Sequence, residues 1–192
     1  TYPFVTSANT VSGAACAGAG LRPRHLHGVL AIAKAYATRV GEGPFPTELG
    51  DATGDALREA GGEFGSTTGR PRRCGWFDAV AARRVARVTG ATALAITKLD
   101  VLTGLEPIRV CVGYEIDGAP VSGFPVRDLE RVTPVYRDFA GWSEPLGDAR
   151  DLASLPRRAR DYLDELARLV GCPVRIVSVG PGREQTIELG EL

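Results

Sequence analysis

The chain has 192 residues, 44% hydrophobic and 24% charged, with a formal net charge of zero. That length suits one substantial domain or two small ones, and the charge balance gives no general attraction to nucleic acid or an anionic membrane. No apolar run is long enough to cross a bilayer and no secretory pattern opens the sequence, while Cys16, Cys74, Cys111 and Cys172 lie far apart without zinc-like spacing.

Residues 1–22 are rich in Gly, Ala, Ser and Thr and read as a short strand followed by a loop. In residues 23–40 the apolar positions Leu26, Val29, Leu30, Ala33, Tyr36 and Ala37 fall at helical spacing, with Gly41 to end the helix. The stretch GEGPFPTEL that follows must be a shaped loop. Residues 53–60 suit a short helix before the Gly61-Gly62 break. Phe77, Val80, Ala81, Val85 and Val88 give a further helical face, closed by Gly90. Residues 92–97 are apolar and short enough for a buried strand, and Ile108–Ile116 alternates like a second. Residues 117–150 mix Gly, Pro and charge and read mostly as loop. Ser154 suits an N-cap with Pro156 in the first turn. Ala159, Tyr162, Leu163, Leu166, Leu169 and Val170 would then line the inner face, and Gly171 and Pro173 stop the helix. Residues 174–179 are a last buried strand. Helix and strand signals alternate, so the class is α/β.

Four segments could carry chemistry. The first, GSTTGRPRRCGW, spans residues 65–76. Gly65 and Gly69 permit a tight loop with backbone N–H groups facing a ligand. Thr67 and Thr68 add hydroxyl donors, and Pro71 stiffens the turn. Arg70, Arg72 and Arg73 offer planar forks for carboxylate or phosphate. The segment reads as an anion-recognition loop or as a basic surface turn. The second, ITKLD, ends the 92–97 strand, where open α/β sheets bind ligands. There Asp100 could accept the paired N–H donors of guanine, with the Lys98 stem lying over the base; it could equally be a strand-end turn residue. The third, SVGPGR, has glycines at 180 and 182 that let backbone approach a flat ligand, or form a plain turn. The fourth, VTSANTVS over residues 5–12, has hydroxyls and Asn9 that could meet phosphate oxygens. His25 and His27 read as solvated. Parallel 92–97 and 174–179 strands would put the second and third segments at one sheet edge. Basic residues are 21 Arg against 2 Lys, so a lysine that persists is worth a look; the alternative is that arginine-rich usage reflects coding bias and single lysines survive by chance.

Taken in order, TYPFVTSANT, KAYATRVGEGPFPTEL, EFGSTTGRPRRCGW, TKLDVLTGL and SVGPGRE resemble the adenylosuccinate synthetase family over residues 1–187. The resemblance implies a P-loop-NTPase-like, mostly parallel sheet with flanking helices. It implies joining of IMP and L-aspartate at the expense of GTP, with Mg²⁺, in a cytoplasmic homodimer that takes no nucleic acid or membrane partner. Nothing in the sequence resembles the family's glycine-rich phosphate loop, catalytic Asp or catalytic His. Residues 1–192 are therefore expected to be the carboxy-terminal portion, inactive alone, with no catalytic residue and no metal ligand. By position, the resemblance assigns Thr6, Val40 and Arg70 to IMP. It assigns Ser66, Thr67, Thr68, Gly69, Arg70, Pro71 and Arg72 to aspartate. Arg72, Lys98, Leu99, Asp100, Ser178, Val179 and Gly180 fall to GTP. An inactive fragment or a non-catalytic guanine-nucleotide-binding module is the alternative.

Overall fold

A computed structural model describes Phe4 and residues 9–191 of the chain. Helix α1 (Gly13–Ala19) comes first, an alanine-rich segment ended by Gly20 in the left-handed conformation. The loop expected over residues 1–22 is thus partly helical, because alanine carries the strongest helix propensity.

Residues 23–40 are not a helix. After a 3₁₀ turn at Pro23–His25 they form strands β1 (Leu30–Lys34) and β2 (Ala37–Arg39). The apolar spacing fits both periods over so short a run, and periodicity alone does not separate a buried strand from a helix. Long-range pairing decides it, because β1 lies parallel to a strand more than sixty residues on, with Lys34 opposite Thr97.

Helix α2 (Ala52–Gly61) starts where the Asp51 carboxylate accepts N–H groups from Thr53 and Gly54. Strands β3 (Arg73–Gly75) and β4 (Phe77–Asp78) precede α3 (Ala79–Thr89). Phe77 therefore belongs to a strand, and Asp78 caps the helix by accepting from Ala81 N–H at 2.9 Å. Strand β5 (Ala93–Thr97) runs into a 3₁₀ turn at Leu99–Leu102, and β6 (Ile108–Ile116) has the predicted bounds.

The region expected to be mostly loop contains β7 (Ala119–Val121) and β8 (Thr133–Phe139). Both pair antiparallel with β6. Pro134 hides β8 in the sequence, but proline is tolerated on an edge strand. Helix α4 (Arg157–Val170) buries all six predicted inner positions. It begins after Pro156, and Ser154 instead bonds Asp151 within the preceding turn. Strand β9 (Val174–Ser178) and β10 (Thr186–Glu188) close the chain.

The central sheet has the order β1-β5-β9-β10, with β1, β5 and β9 parallel and β10 antiparallel. The expected α/β class with a mostly parallel sheet and flanking helices is what the chain forms. Leu57, Ile96, Leu99, Leu102, Leu166 and Val177 are fully buried in one core between sheet and helices. Burying each such side chain contributes about 1.5–3 kcal/mol before entropy is counted. The buried Tyr162 hydroxyl donates to the Ala35 carbonyl at 2.7 Å and ties α4 to the end of β1.

Candidate functional site at the strand ends

Parallel strands β1, β5 and β9 end on the same side of the sheet, so Lys34, Lys98 and Ser178 lie along one carboxyl edge. Between the ends of β5 and β9 and the last turn of α2 is a cleft of about 520 Å³. Thr97, Lys98, Asp100, Ser178, Gly180 and Gly61 are among its lining residues. The ITKLD and SVGPGR segments therefore share one cavity, as their parallel strands require.

Lys98 turns the chain with φ of 59°, a left-handed conformation rare outside glycine. This sends the chain into the Leu99–Leu102 turn, where Leu99 is fully buried and Asp100 lines the cleft. Asp100 Oδ1 is buried with no hydrogen-bond partner among the described residues. Buried polar atoms are normally paired, so this carboxylate lacks a donor that such an atom usually has. Burial pushes the Asp100 carboxyl above its ordinary value; a bond from its own backbone N–H and the nearby Lys98 charge offset this in part. Across the cleft, Ser178 Oγ donates to the Gly180 carbonyl at 2.9 Å. Val179 is buried, and its N–H donates to the Gln185 carbonyl. Leu99 and Val179 are buried in the core and are not among the residues that line the cleft.

The loop of residues 65–72 is a small closed turn. Gly65 N–H donates to the Arg70 carbonyl, Gly69 N–H to the Gly65 carbonyl and Arg72 N–H to the Glu63 carbonyl, each at 2.8 Å. Ser66, Thr67, Thr68, Gly69, Arg70 and Pro71 are all exposed. The Arg70 guanidinium has no ion pair among the described residues, whereas Arg72 is half-buried with its Nε lacking a partner. Arg73 does not belong with these two. Its fork grips the Glu48 carboxylate and its NH1 donates to the Gly41 and Gly43 carbonyls, fastening the 41–48 loop.

Sequence reasoning missed the residue at the centre of this region. Glu63 is fully buried. Its Oε1 accepts from Lys34 Nζ at 2.7 Å, the Tyr36 hydroxyl at 2.6 Å and Lys98 Nζ at 2.9 Å. Its Oε2 accepts from Lys34 Nζ and from Arg72 NH1, both at 2.8 Å. Burial alone would raise the carboxyl, but the bonds from Lys34, Tyr36, Lys98 and Arg72 outweigh it and bring it down to about 2. Burial and the same carboxylate push the Tyr36 phenol up, so it stays a donor.

The end of α2 creates this arrangement. Gly62 takes φ of 58° and caps the helix, and Glu63 N–H then bonds the Arg58 carbonyl, which turns the chain inward. A Cβ at Gly61 would sit 2.1 Å from the Tyr36 hydroxyl, so only glycine lets that hydroxyl reach Glu63. A lone glutamate after two glycines gives no hint of this. The signal that could have found it is the pair of lysines in an arginine-rich chain, because both converge on Glu63.

The remaining expected site residues fall elsewhere or outside the description. Thr6 and residues 5–8 of the hydroxyl-rich segment lie outside the described residues. Asn9 is exposed, and its side-chain oxygen accepts from Val11 N–H at 3.3 Å. Val40 follows β2 and is 77% exposed. His25 and His27 are exposed, as expected of solvated residues.

Known proteins resemble the chain in both sequence and fold. The sequence model described as Adenylosuccinate synthetase matches residues 1–187. The chain is 54% identical to an adenylosuccinate synthetase of Carboxydothermus hydrogenoformans, covering 100% of this chain and 45% of that protein. It is 57% identical to one from Desulfosudis oleivorans, covering 97% of this chain and 44% of the relative. A solved structure of fully ligated adenylosuccinate synthetase from Plasmodium falciparum superposes with a TM-score of 0.94 at 38% identity, over 98% of this chain and 46% of that one. The chain spans somewhat less than half the length of these relatives, and it belongs to the adenylosuccinate synthetase family.

Proposed function

We propose that this chain supplies the aspartate loop and the guanine-binding strand ends of an enzyme that joins IMP and L-aspartate at the expense of GTP. The observation that carries the reading is Asp100, which lines a cleft between parallel strand ends and has a buried carboxylate oxygen without a partner among the described residues. Guanine presents a ring N–H beside an exocyclic amino group, which a carboxylate accepts as a pair. Adenine presents a ring acceptor there and is repelled. The Lys98 stem forms a wall for the base, because its ammonium is held by Glu63 and the Gly61 carbonyl. Ser178, Val179 and Gly180 face the ring from the opposite strand end, with Leu99 and Val179 contributing backbone.

The chemistry is transfer of the GTP γ-phosphoryl group to the IMP 6-oxygen, followed by displacement of phosphate by the aspartate amine. Charge positioning supplies much of the catalysis in phosphoryl transfer. In this reading Ser66, Thr67, Thr68, Gly69 and Pro71 shape the loop that surrounds aspartate. Arg70 grips its carboxylate and bridges toward the IMP ribose. Arg72 lies between aspartate and GTP, and Thr6 and Val40 contact IMP. Mg²⁺ would accompany the GTP phosphates. Among the described residues no three His, Cys, Asp or Glu side chains converge to hold a metal ion, so none is proposed as its ligand. A cytoplasmic homodimer completes the reading. Purified alone, the chain is expected to bind nucleotide without IMP- and aspartate-dependent GTP turnover.

Nucleotide competition tests the reading. Asp100→Asn presents donors to donors on guanine but can donate to the extra carbonyl of xanthine. Preference should move from GTP toward xanthosine triphosphate by about tenfold or more, since an unpaired buried polar group costs about 1–3 kcal/mol. Lys98→Ala should weaken both nucleotides alike. An unmoved preference in Asp100→Asn would make the segment an ordinary strand end.

A further inference from the structure

Lys98 borders the guanine cleft and Arg72 ends the anion loop, and one buried carboxylate bonds both. Glu63 also fixes the loop's base, since its carbonyl accepts the Arg72 N–H. Three cations therefore meet on a single anion, whose side chain is 0% exposed while theirs are 25%, 30% and 34%. Without the anion they would repel one another at a poorly solvated point. The Arg72 fork spends NH1 on Glu63, while its buried Nε remains without a partner among the described residues.

We propose that Glu63 is a positioning residue shared by the two subsites. Its carboxylate draws the Lys98 ammonium aside, leaving the lysine stem as the wall for the base, and it holds Arg72 by NH1 alone, which fixes the guanidinium and leaves the rest of the fork for an anionic ligand. Occupying either subsite then orders the side chain that serves the other. The inference rests on the aspartate and guanine reading of these subsites.

Because Lys34 and Lys98 are the only lysines, ¹⁵N-lysine labelling of the chain gives two ammonium signals, which Lys34→Arg assigns. GTP should move the Lys98 signal directly. L-Aspartate with IMP should move it too, through Arg72 and Glu63. In Glu63→Gln the response to L-aspartate should vanish and GTP affinity should fall about tenfold or more, as charge-assisted bonds that fix a ligand-facing group are lost. The preference for guanine over xanthine, which Asp100 sets, should stay. If Glu63→Gln shows no cooperative melt, Glu63→Asp decides. It keeps the charge but is one methylene shorter, and it should fold yet lose the aspartate response. A wild-type Lys98 signal that follows GTP but ignores L-aspartate with IMP overturns the proposal and leaves the guanine reading intact. So does a folded Glu63 variant with unchanged GTP affinity and an intact aspartate response. If GTP does not move Lys98 and Asp100→Asn changes no preference, the guanine reading falls and this proposal with it.

Discussion

In the loop of residues 65–72 every residue from Ser66 to Pro71 is exposed, and the turn is held by backbone bonds at its base. At the end of β5, Leu99 and Leu102 are fully buried, and Lys98 and Asp100 line the cleft. One region is a displayed loop that can adapt to a ligand; the other is the rim of a core. Such a difference separates the effects of mutation. Changes at the exposed side chains of this loop should alter ligand use without altering stability, whereas changes at the strand end should alter both, because the residues that fix the rim are also core residues. Loops on rigid scaffolds commonly carry function for this reason.

The comparison is most exposed at Leu99. Leu99→Ala empties a fully buried site and should cost about 2–5 kcal/mol of stability, read as a fall in the urea midpoint. A loss below about 1 kcal/mol would mean that the strand end is not built on the core as described. Arg70→Leu, in a full-length synthetase carrying this segment, should leave stability nearly unchanged. It should lower kcat/KM for aspartate about tenfold or more, because a charge-assisted bond to a carboxylate contributes about 1.5–3 kcal/mol. Normal aspartate kinetics would make Arg70 surface charge.

Glu63, which joins the two regions, should show itself in acid. Its carboxyl is held near 2, below its ordinary value of 4.5. Its contribution to stability is therefore complete above about pH 4.5 and is lost as pH falls through about 2. Glu63→Gln lacks that dependence, so its urea midpoint should fall less steeply than the wild type's over this window. Parallel slopes would show that the carboxylate gains nothing from its partners. The smallest effect is expected at the loop tip, where Thr67→Ala should change stability by less than about 0.5 kcal/mol. A larger loss by thermal melt would mean that the tip packs against something and is not simply displayed.

Local pattern was enough wherever an element's signal lies within its own residues. The apolar face from Ala159 to Val170 specified α4 because helical periodicity repeats over several turns. Strict alternation specified β6, and short apolar runs specified β5 and β9. The sequence put ITKLD beside SVGPGR only on the condition that their strands run parallel, and the β5–β9 pairing meets that condition. The family, too, was legible from blocks of sequence, and the relatives agree.

Only the tertiary structure decided the rest, and in each case because the partner is distant in sequence. Residues 30–34 became a strand because β5 offers a parallel edge, although their own spacing suits a helix equally. Strand β8 exists because β6 pairs with it along most of its length, despite Pro134. Arg73 left the loop of residues 65–72 for Glu48, twenty-five residues earlier. Glu63 is the strongest case: its bonding partners lie twenty-nine residues before it at Lys34, nine after it at Arg72 and thirty-five after it at Lys98. A carboxylate is seldom buried unless its charge is matched. The sequence determined which charged groups the chain carries, but the matching needed β1, α2 and β5 packed together, and no local pattern encodes that packing.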